Sequence, residues 1–458
     1  MLRNILLIGA GKSTAYLIDY LLDHSDKERI SLCILDRETA HIPNHIASHP
    51  ALTIVTGSVT DPVIRQKQIA LADIVISMLP AHMHFLIAKD CLTLEKHLVT
   101  ASYVSPELKE IEERVKEKGL VFLNEMGVDP GIDHMSAMAF MDQIKNKGGE
   151  IKLFESFTGG LVAPQEKPNL WDYKFTWNPR NVVIAGQGGA AKFIQEGTYK
   201  YIPYHKLFRR TEFMHIAGYG KFEAYANRDS LKYRTAYGLE KVLTLYRGTM
   251  RRVGFSKAWN IFVQLGLTDD SYHIEESEQM SYRAFINLFL PYSPSDRVEL
   301  KVRHYLKIDQ DDIMWDKLME LHLFSDQHFL TKKNGTPAEL LQEILEAHWT
   351  LGLDEKDMVV MYHKIGYEYQ GEMQQIDAHM VVEGVSQTHT AMAKTVGLPL
   401  AMSCLLILNK EITTPGVRIP IHKEIYTPVL KLLAQEGVVF KDFEVPYLGY
   451  TTEYVASS

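Results

Sequence analysis

The sequence predicts an α/β protein, a discontinuous Rossmann domain joined to a mixed α/β domain that carries a helical lid insertion. Three observations predict it. A strand, a glycine turn, a helix and a second strand ending in an acid open the chain. Short apolar runs then recur between helical or loop segments up to Leu123, the rhythm of a parallel sheet covered on both faces. Beyond that point the period of the pattern changes, and an apolar helix pattern from Gln387 to Ile407 has the character of a segment packing back onto the first domain.

The first strand is Ile5-Leu6-Leu7-Ile8, followed at once by Gly9-Ala10-Gly11-Lys12-Ser13-Thr14 and a helical pattern from Ala15 through Leu22. Gly9 and Gly11 let the chain turn sharply and approach a pyrophosphate, whose charge would lie at the helix N-terminus. Thr14 stands where the fingerprint usually has a third glycine. The second run, Leu32-Cys33-Ile34-Leu35, ends in Asp36-Arg37. A carboxylate there accepts hydrogen bonds from ribose hydroxyls and favours NAD, while Arg37 could pair with a 2′-phosphate and permit NADP. NAD is expected to serve at least as well as NADP. Further strands are read at Leu52–Val55, Ile74–Leu79, His97–Thr100 and Leu120–Leu123. Ligands in such sheets lie outside the carboxyl ends of the strands. Asp36-Arg37, Gly57-Ser58, Leu79-Pro80, Ala101-Ser102-Tyr103 and Val128-Asp129 should therefore form one rim.

The segment Asn124-Glu125-Met126-Gly127-Val128-Asp129-Pro130-Gly131-Ile132-Asp133-His134 packs acids, glycines, a proline and a histidine where that sheet runs out. A core strand could not easily hold this chemistry, so the position after a complete βαβ run points to a site. The Rossmann domain is expected to use 1–128 and 388–438. The mixed domain, which also supplies a homodimer contact through an edge of its sheet, should use 129–230, 353–387 and 439–458. Residues 231–352 read as the helical lid, with Thr336-Pro337-Ala338-Glu339 as a helix start.

A chain of 458 residues is too long for one core. A net charge of -8 argues against a nucleic-acid platform. Cys33, Cys91 and Cys404 are scattered, which suits a reducing cytoplasm and offers neither a disulfide framework nor a zinc site. No apolar run approaches the ~20 residues of a membrane span. His82-x-His84 suits no metal geometry and reads as a pair of solvated histidines, and His348 as a packing residue. No metal is expected.

With these residues in view, the chain resembles the saccharopine reductases, the saccharopine dehydrogenases that form L-glutamate. The resemblance rests on Gly9-Ala10-Gly11, Thr100-Ala101-Ser102-Tyr103, Glu125 through His134 and Ser156-Phe157-Thr158-Gly159-Gly160-Leu161. It continues through Lys174-Phe175-Thr176-Trp177-Asn178-Pro179-Arg180, Asn227-Arg228-Asp229-Ser230-Leu231, Gly248-Thr249-Met250-Arg251, Asp357 to Met361 and Thr414-Pro415-Gly416-Val417. These segments follow the family's order along nearly the whole chain. Met250 departs from the family's usual leucine, a volume-conserving swap.

The resemblance implies an oxidoreductase of lysine metabolism that interconverts saccharopine with L-glutamate plus 2-aminoadipate 6-semialdehyde, through an imine and hydride transfer with a nicotinamide cofactor. It implies substrate contacts at Ser102, Tyr103, Asp129, Arg228, Thr249, Met250 and Arg251. Cofactor contacts are implied at Gly11, Lys12, Ser13, Thr14, Asp36, Arg37, Ser58, Val59, Leu79, Ser102, Val128, Asp129 and Asn178, alongside Gly9 from the fingerprint. Arg228 and Arg251 can grip carboxylates bidentately. Asp129 is the first choice to handle a proton, then Tyr103 or a water. Two other readings remain open on the residues: a related reductive-amination enzyme such as a carboxynorspermidine synthase, and a non-catalytic nucleotide-binding scaffold.

Overall fold

A computed structural model of the protein describes residues 2–39, 42–165 and 169–449. The chain divides into two compact units. The first holds Met1–Ile151, Tyr367–Glu372 and Met380–Phe443; the second holds Lys152–Gly366, Met373–His379 and the chain from Glu444. Of the C-terminal piece expected in the mixed domain, residues 450–458 lie outside the described residues.

The first unit is built on β1 (Arg3–Ile8), β2 (Ile30–Asp36), β3 (Leu52–Thr56), β4 (Ile74–Ser77), β5 (His97–Thr100) and β6 (Val121–Leu123), with β15 (Gly416–Arg418) returning late in the chain. The order is β15-β6-β5-β4-β1-β2-β3, and all six neighbouring pairs are parallel. The order reverses between β1 and β4, where ligands bind in open parallel sheets. Ile5, Leu7 and Ile8 of β1 and Ile74, Val75 and Ile76 of β4 are all buried, as strands with helices on both faces must be.

The return is made by the helix Ala391–Leu408, which packs against the helix Ala15–Asp23 and against β4 and β5. By length and composition this helix could cross a membrane, with a mean hydropathy of 1.8 over 18 residues, so the expectation that no run reaches that class needs correcting. The helix is 83% buried inside the protein, the mark of a core helix.

The other sheet, whose strands lie mostly in the second unit, contains β7 (Glu150–Val162), β8 (Ala191–Gln195), β9 (Thr198–Ile202), β10 (Glu212–Ile216), β11 (Gly220–Ala226), β12 (Thr244–Arg252), β13 (Asp357–Tyr369), β14 (Glu372–Glu383) and β16 (Lys441–Val445). The path runs β10-β11-β12-β7-β13-β14-β16, with β8 and β9 attached through β12. β12 lies inside the stretch read as helical. Its alternation of Thr244, Tyr246, Gly248 and Met250 with Leu245, Arg247, Thr249 and Arg251 is the period of a strand buried on both faces. Helices follow from Phe255, among them Pro337–Trp349, where Thr336 and Glu339 close the reciprocal cap.

Candidate active site

The glycine turn after β1 is shaped for an anion. Gly9 has φ +91, and a Cβ there would lie 3.0 Å from the Met78 carbonyl oxygen, so only glycine fits. A Cβ on Gly11 would meet nothing within 4 Å, which leaves that backbone open to a ligand. The helix Ala15–Asp23 has no acidic residue in its first turn and no side-chain cap, so its N-terminal N–H groups suit a pyrophosphate. Thr14 replaces the third glycine without loss of order: it is buried, and its Oγ1 donates to the Gly11 carbonyl at 2.7 Å. Lys12 is exposed and Ser13 half-buried beside it. These residues fit a dinucleotide.

Asp36, at the end of β2, turns its carboxylate to this loop. Oδ2 accepts the Ala10 N–H at 2.6 Å and Oδ1 accepts the Glu38 N–H at 3.1 Å. Arg37 is exposed next to it. After β3, the Ser58 hydroxyl pairs with Thr60 at 2.7 Å. The Val59 carbonyl accepts from buried Arg65 at 2.6 Å, and Arg65 is held in turn by Asp90 at 2.6 Å. This ion pair fixes the turn that carries Ser58 and Val59. Leu79 is half-buried after β4.

The two loops after β5 and β6 are tied together. The Glu125 N–H donates to the Ser102 carbonyl at 3.1 Å, and the Met126 N–H to the Thr100 carbonyl at 3.1 Å. Glu125 is buried, accepts the Val104 N–H at 3.2 Å on one oxygen and meets His134 Nε2 at 2.8 Å with the other. A Cβ on Gly131, whose φ is +148, would fall 2.0 Å from the Gly127 carbonyl oxygen, so the loop closes on itself only with glycine. Ser102, Tyr103 and Asp129 are half-buried along this rim, and Val128 is buried. The acid-rich segment thus splits its labour: Glu125, Asp133 and His134 build the loop, while Asp129 stays at its surface.

One residue was misread. His84 is buried rather than solvated, because the short helix after β4 points it back under the sheet's rim. Its Nδ1 lies 2.9 Å from Ser77 Oγ and its Nε2 lies 2.7 Å from Ser102 Oγ. Burial first, and then the neighbouring charge of His82, pull its pKa down to about 4. Its place seven residues after the last residue of β4 was the available signal. His82 itself is exposed.

The second unit holds the cationic residues. Arg251 is 5% exposed, and its guanidinium lies 5.0 Å from the Tyr173 ring and 5.3 Å from that of Phe255. Nη1 donates to the Met250 carbonyl at 2.9 Å, Nε has no hydrogen-bond partner, and no carboxylate pairs with the side chain among the described residues. Burial, against the pull of Arg251, pushes the Tyr173 pKa up to about 12, so no phenolate answers the cation. Thr249 lies on the same face, opposite Thr158 of β7, whose buried hydroxyl also lacks a partner. Met250 faces the other way and brings only its backbone to this side. Arg228 is exposed just past β11 with φ 48. Asn178 spends its carboxamide oxygen on the Arg180 N–H at 3.0 Å, capping a short helix.

Family models decide the assignment. The model described as "Saccharopine dehydrogenase NADP binding domain" matches residues 5–123, and "Saccharopine dehydrogenase C-terminal domain" matches 127–438. The chain belongs to the saccharopine dehydrogenase family. Saccharopine dehydrogenase [NADP(+), L-glutamate-forming] of Saccharomyces cerevisiae is 30% identical over 96% of this chain and 99% of its own. Alpha-aminoadipic semialdehyde synthase, mitochondrial, of Rattus norvegicus is 32% identical over 96% of this chain. The chain spans about half the length, 47%, of that relative. The apo saccharopine dehydrogenase (L-Glu forming) structure from Saccharomyces cerevisiae superposes with a TM-score of 0.86 at 29% identity, covering 97% of this chain and 100% of the other. A homospermidine synthase from Legionella pneumophila shares the fold alone, with a TM-score of 0.55 at 9% identity. The family carries a nicotinamide-dinucleotide-binding domain, and here that domain is the first unit's sheet with its glycine turn.

Proposed function

We propose that this member of the family is an NADP-dependent, L-glutamate-forming saccharopine dehydrogenase. Arg251 is the observation that carries the reading. A buried guanidinium with no carboxylate of its own is costly unless a ligand brings the anion. Saccharopine brings three carboxylates; a carboxylated polyamine such as carboxynorspermidine brings one beside several amines and would call for fewer cations and more acids. The alternative of polyamine-type reductive amination has no comparable support.

The overall reaction balances as saccharopine, NADP+ and water giving L-glutamate, 2-aminoadipate 6-semialdehyde, NADPH and a proton. When bound, the dinucleotide supplies the hydride acceptor. Among the chain's residues, Arg251 and Thr249 hold a carboxylate, and Arg228 adds an exposed second cation. Asp129 binds the secondary amine and takes its proton, and Tyr103 and Ser102 donate hydrogen bonds to ligand oxygens. Gly9 to Thr14 receive the pyrophosphate at the helix N-terminus.

NADP, rather than the NAD expected from Asp36, is the cofactor assigned to this chain. Both Asp36 oxygens accept backbone N–H groups, one from Ala10 of the glycine loop and one from Glu38, while Arg37 stands exposed for a 2′-phosphate. The name of the Saccharomyces cerevisiae relative, which specifies NADP(+), supports the same choice. A homodimer through the second unit is supported by aromatic residues on outer strands, Tyr201 on β9 and Phe213 on β10, at 62% and 68% exposure. A reducing compartment, proposed as the cytoplasm, is supported by three free cysteines.

Initial rates with saccharopine and each oxidised cofactor test the reading, with a polyamine as control. Saccharopine-dependent reduction of NADP+ is expected. Cofactor binding without turnover would make the protein a scaffold, and turnover of the polyamine would move it to the other enzyme class.

A further inference from the structure

The buried imidazole between Ser77 and Ser102 has no part in the reaction as written above. Ser77 ends β4 with no exposure, and His84 Nδ1, at 2.9 Å, is the sole hydrogen-bond partner of its hydroxyl among the described residues. A fully buried hydroxyl hydrogen needs an acceptor, and here only that nitrogen can take it. With Nδ1 accepting, a neutral imidazole carries its proton on Nε2. Nε2 lies 2.7 Å from Ser102 Oγ, which must then accept. Thr100 Oγ1, at 3.4 Å from both ring nitrogens, is at the edge of bonding range and accepts the Ser102 N–H at 3.3 Å. Ser102 Oγ has no other partner among the described residues, so its own hydrogen is left to be donated outward from the end of β5.

We infer that His84 is a positioning residue: as the Nε2–H tautomer it turns the Ser102 hydroxyl into a fixed donor for an anionic oxygen of the bound ligand. The inference rests on the reading of Ser102 as a ligand contact. The burial that holds the ring neutral keeps this orientation at working pH, since an imidazolium would instead force Ser77 to accept. The substrate class this donor suits is a carboxylate, for which a misdirected hydroxyl offers a lone pair and repels.

The test combines a tautomer measurement with a mutant cycle. Side-chain nitrogen NMR of the full chain without ligand, at neutral pH, is expected to show His84 protonated on Nε2 alone; an Nδ1–H tautomer or an imidazolium overturns the inference. Ser102→Ala and His84→Leu are each expected to raise the KM for saccharopine roughly ten- to a hundredfold, the loss of one hydrogen bond to a charged group. The double variant should be no worse than the weaker single by more than about twofold, because one substitution already removes what the other would. His84→Gln, which keeps a donor, should recover much of the loss. Multiplying effects in the double variant, or an unchanged KM in His84→Leu, overturns it. If His84→Leu does not fold, the tautomer decides. A wild type inactive on saccharopine would defeat the proposed function, while the NMR result would still judge the relay.

Discussion

Replacing Arg251 with methionine separates a binding role from a structural one, because only the structural role predicts a large loss of stability. The variant keeps a long apolar side chain among Tyr173, Phe255 and Tyr225 while removing the charge. Lost from the fold are cation–π contacts of about 0.5–2 kcal/mol and a hydrogen bond to the Met250 carbonyl of about 1 kcal/mol. Relieved are an unpaired buried Nε, worth about 1–3 kcal/mol, and part of the desolvation of the cation. These terms nearly cancel, so Tm should stay within a few degrees of wild type or rise. Binding has no such offset. Truncating one partner of a buried charge pair costs about 2–5 kcal/mol, roughly thirtyfold to a few thousandfold in kcat/KM for saccharopine. Steady-state rates at varied saccharopine, the KM for NADP+ and a thermal melt read all three quantities. An unchanged saccharopine KM together with a Tm lowered by many degrees would refute the assignment and make Arg251 a packing residue. Arg228→Ala, at an exposed position, should cost no more than about tenfold.

Asp129→Asn should lower kcat with little change in KM if the carboxylate takes the amine proton; a rise in KM alone would confine it to binding an ammonium. Arg37→Ala should raise the KM for NADP+ about tenfold or more and leave that for NAD+ unchanged, while Asp36→Ala should shift preference further towards NADP+, both read from initial rates. Lys364→Met removes the partner of buried Glu155, which it meets at 2.9 Å. Burial raises the Glu155 pKa, opposed by Lys364 and aided by Glu212 and Asp377. A raised carboxylate pKa means stability that is present below the unfolded value and lost as pH rises through the folded one. Without Lys364 the folded value rises further, so the Tm deficit should be larger near pH 7.5 than near pH 5; an equal deficit at both would sink this account.

The first unit was legible because its signals are local. Ile5–Ile8, the two glycines and Asp36 lie within one βαβ unit, and each has a role set by neighbouring backbone. The second unit was less so. β12 was taken for part of a helical stretch: Arg247, Thr249 and Arg251 do alternate with Tyr246, Gly248 and Met250, but the run is short and opens a stretch dominated by helices. Met250 could be assigned to the site from its segment, but only the β12 register shows that its side chain faces away from Thr249 and Arg251. His84 was passed over for a related reason: its place after a strand end marks only nearness to the rim, and its role shows when the fold puts Ser77 and Ser102 on its two nitrogens. That Arg251 is buried, with Nε unpaired, is a three-dimensional fact with no sequence mark.

Product analysis of the wild-type reaction tests the central claim most directly. With saccharopine and NADP+, the account predicts L-glutamate and 2-aminoadipate 6-semialdehyde formed in equal amounts, one of each per NADPH. Reduction of NADP+ that yields lysine and 2-oxoglutarate instead, or no reduction at all, would contradict it.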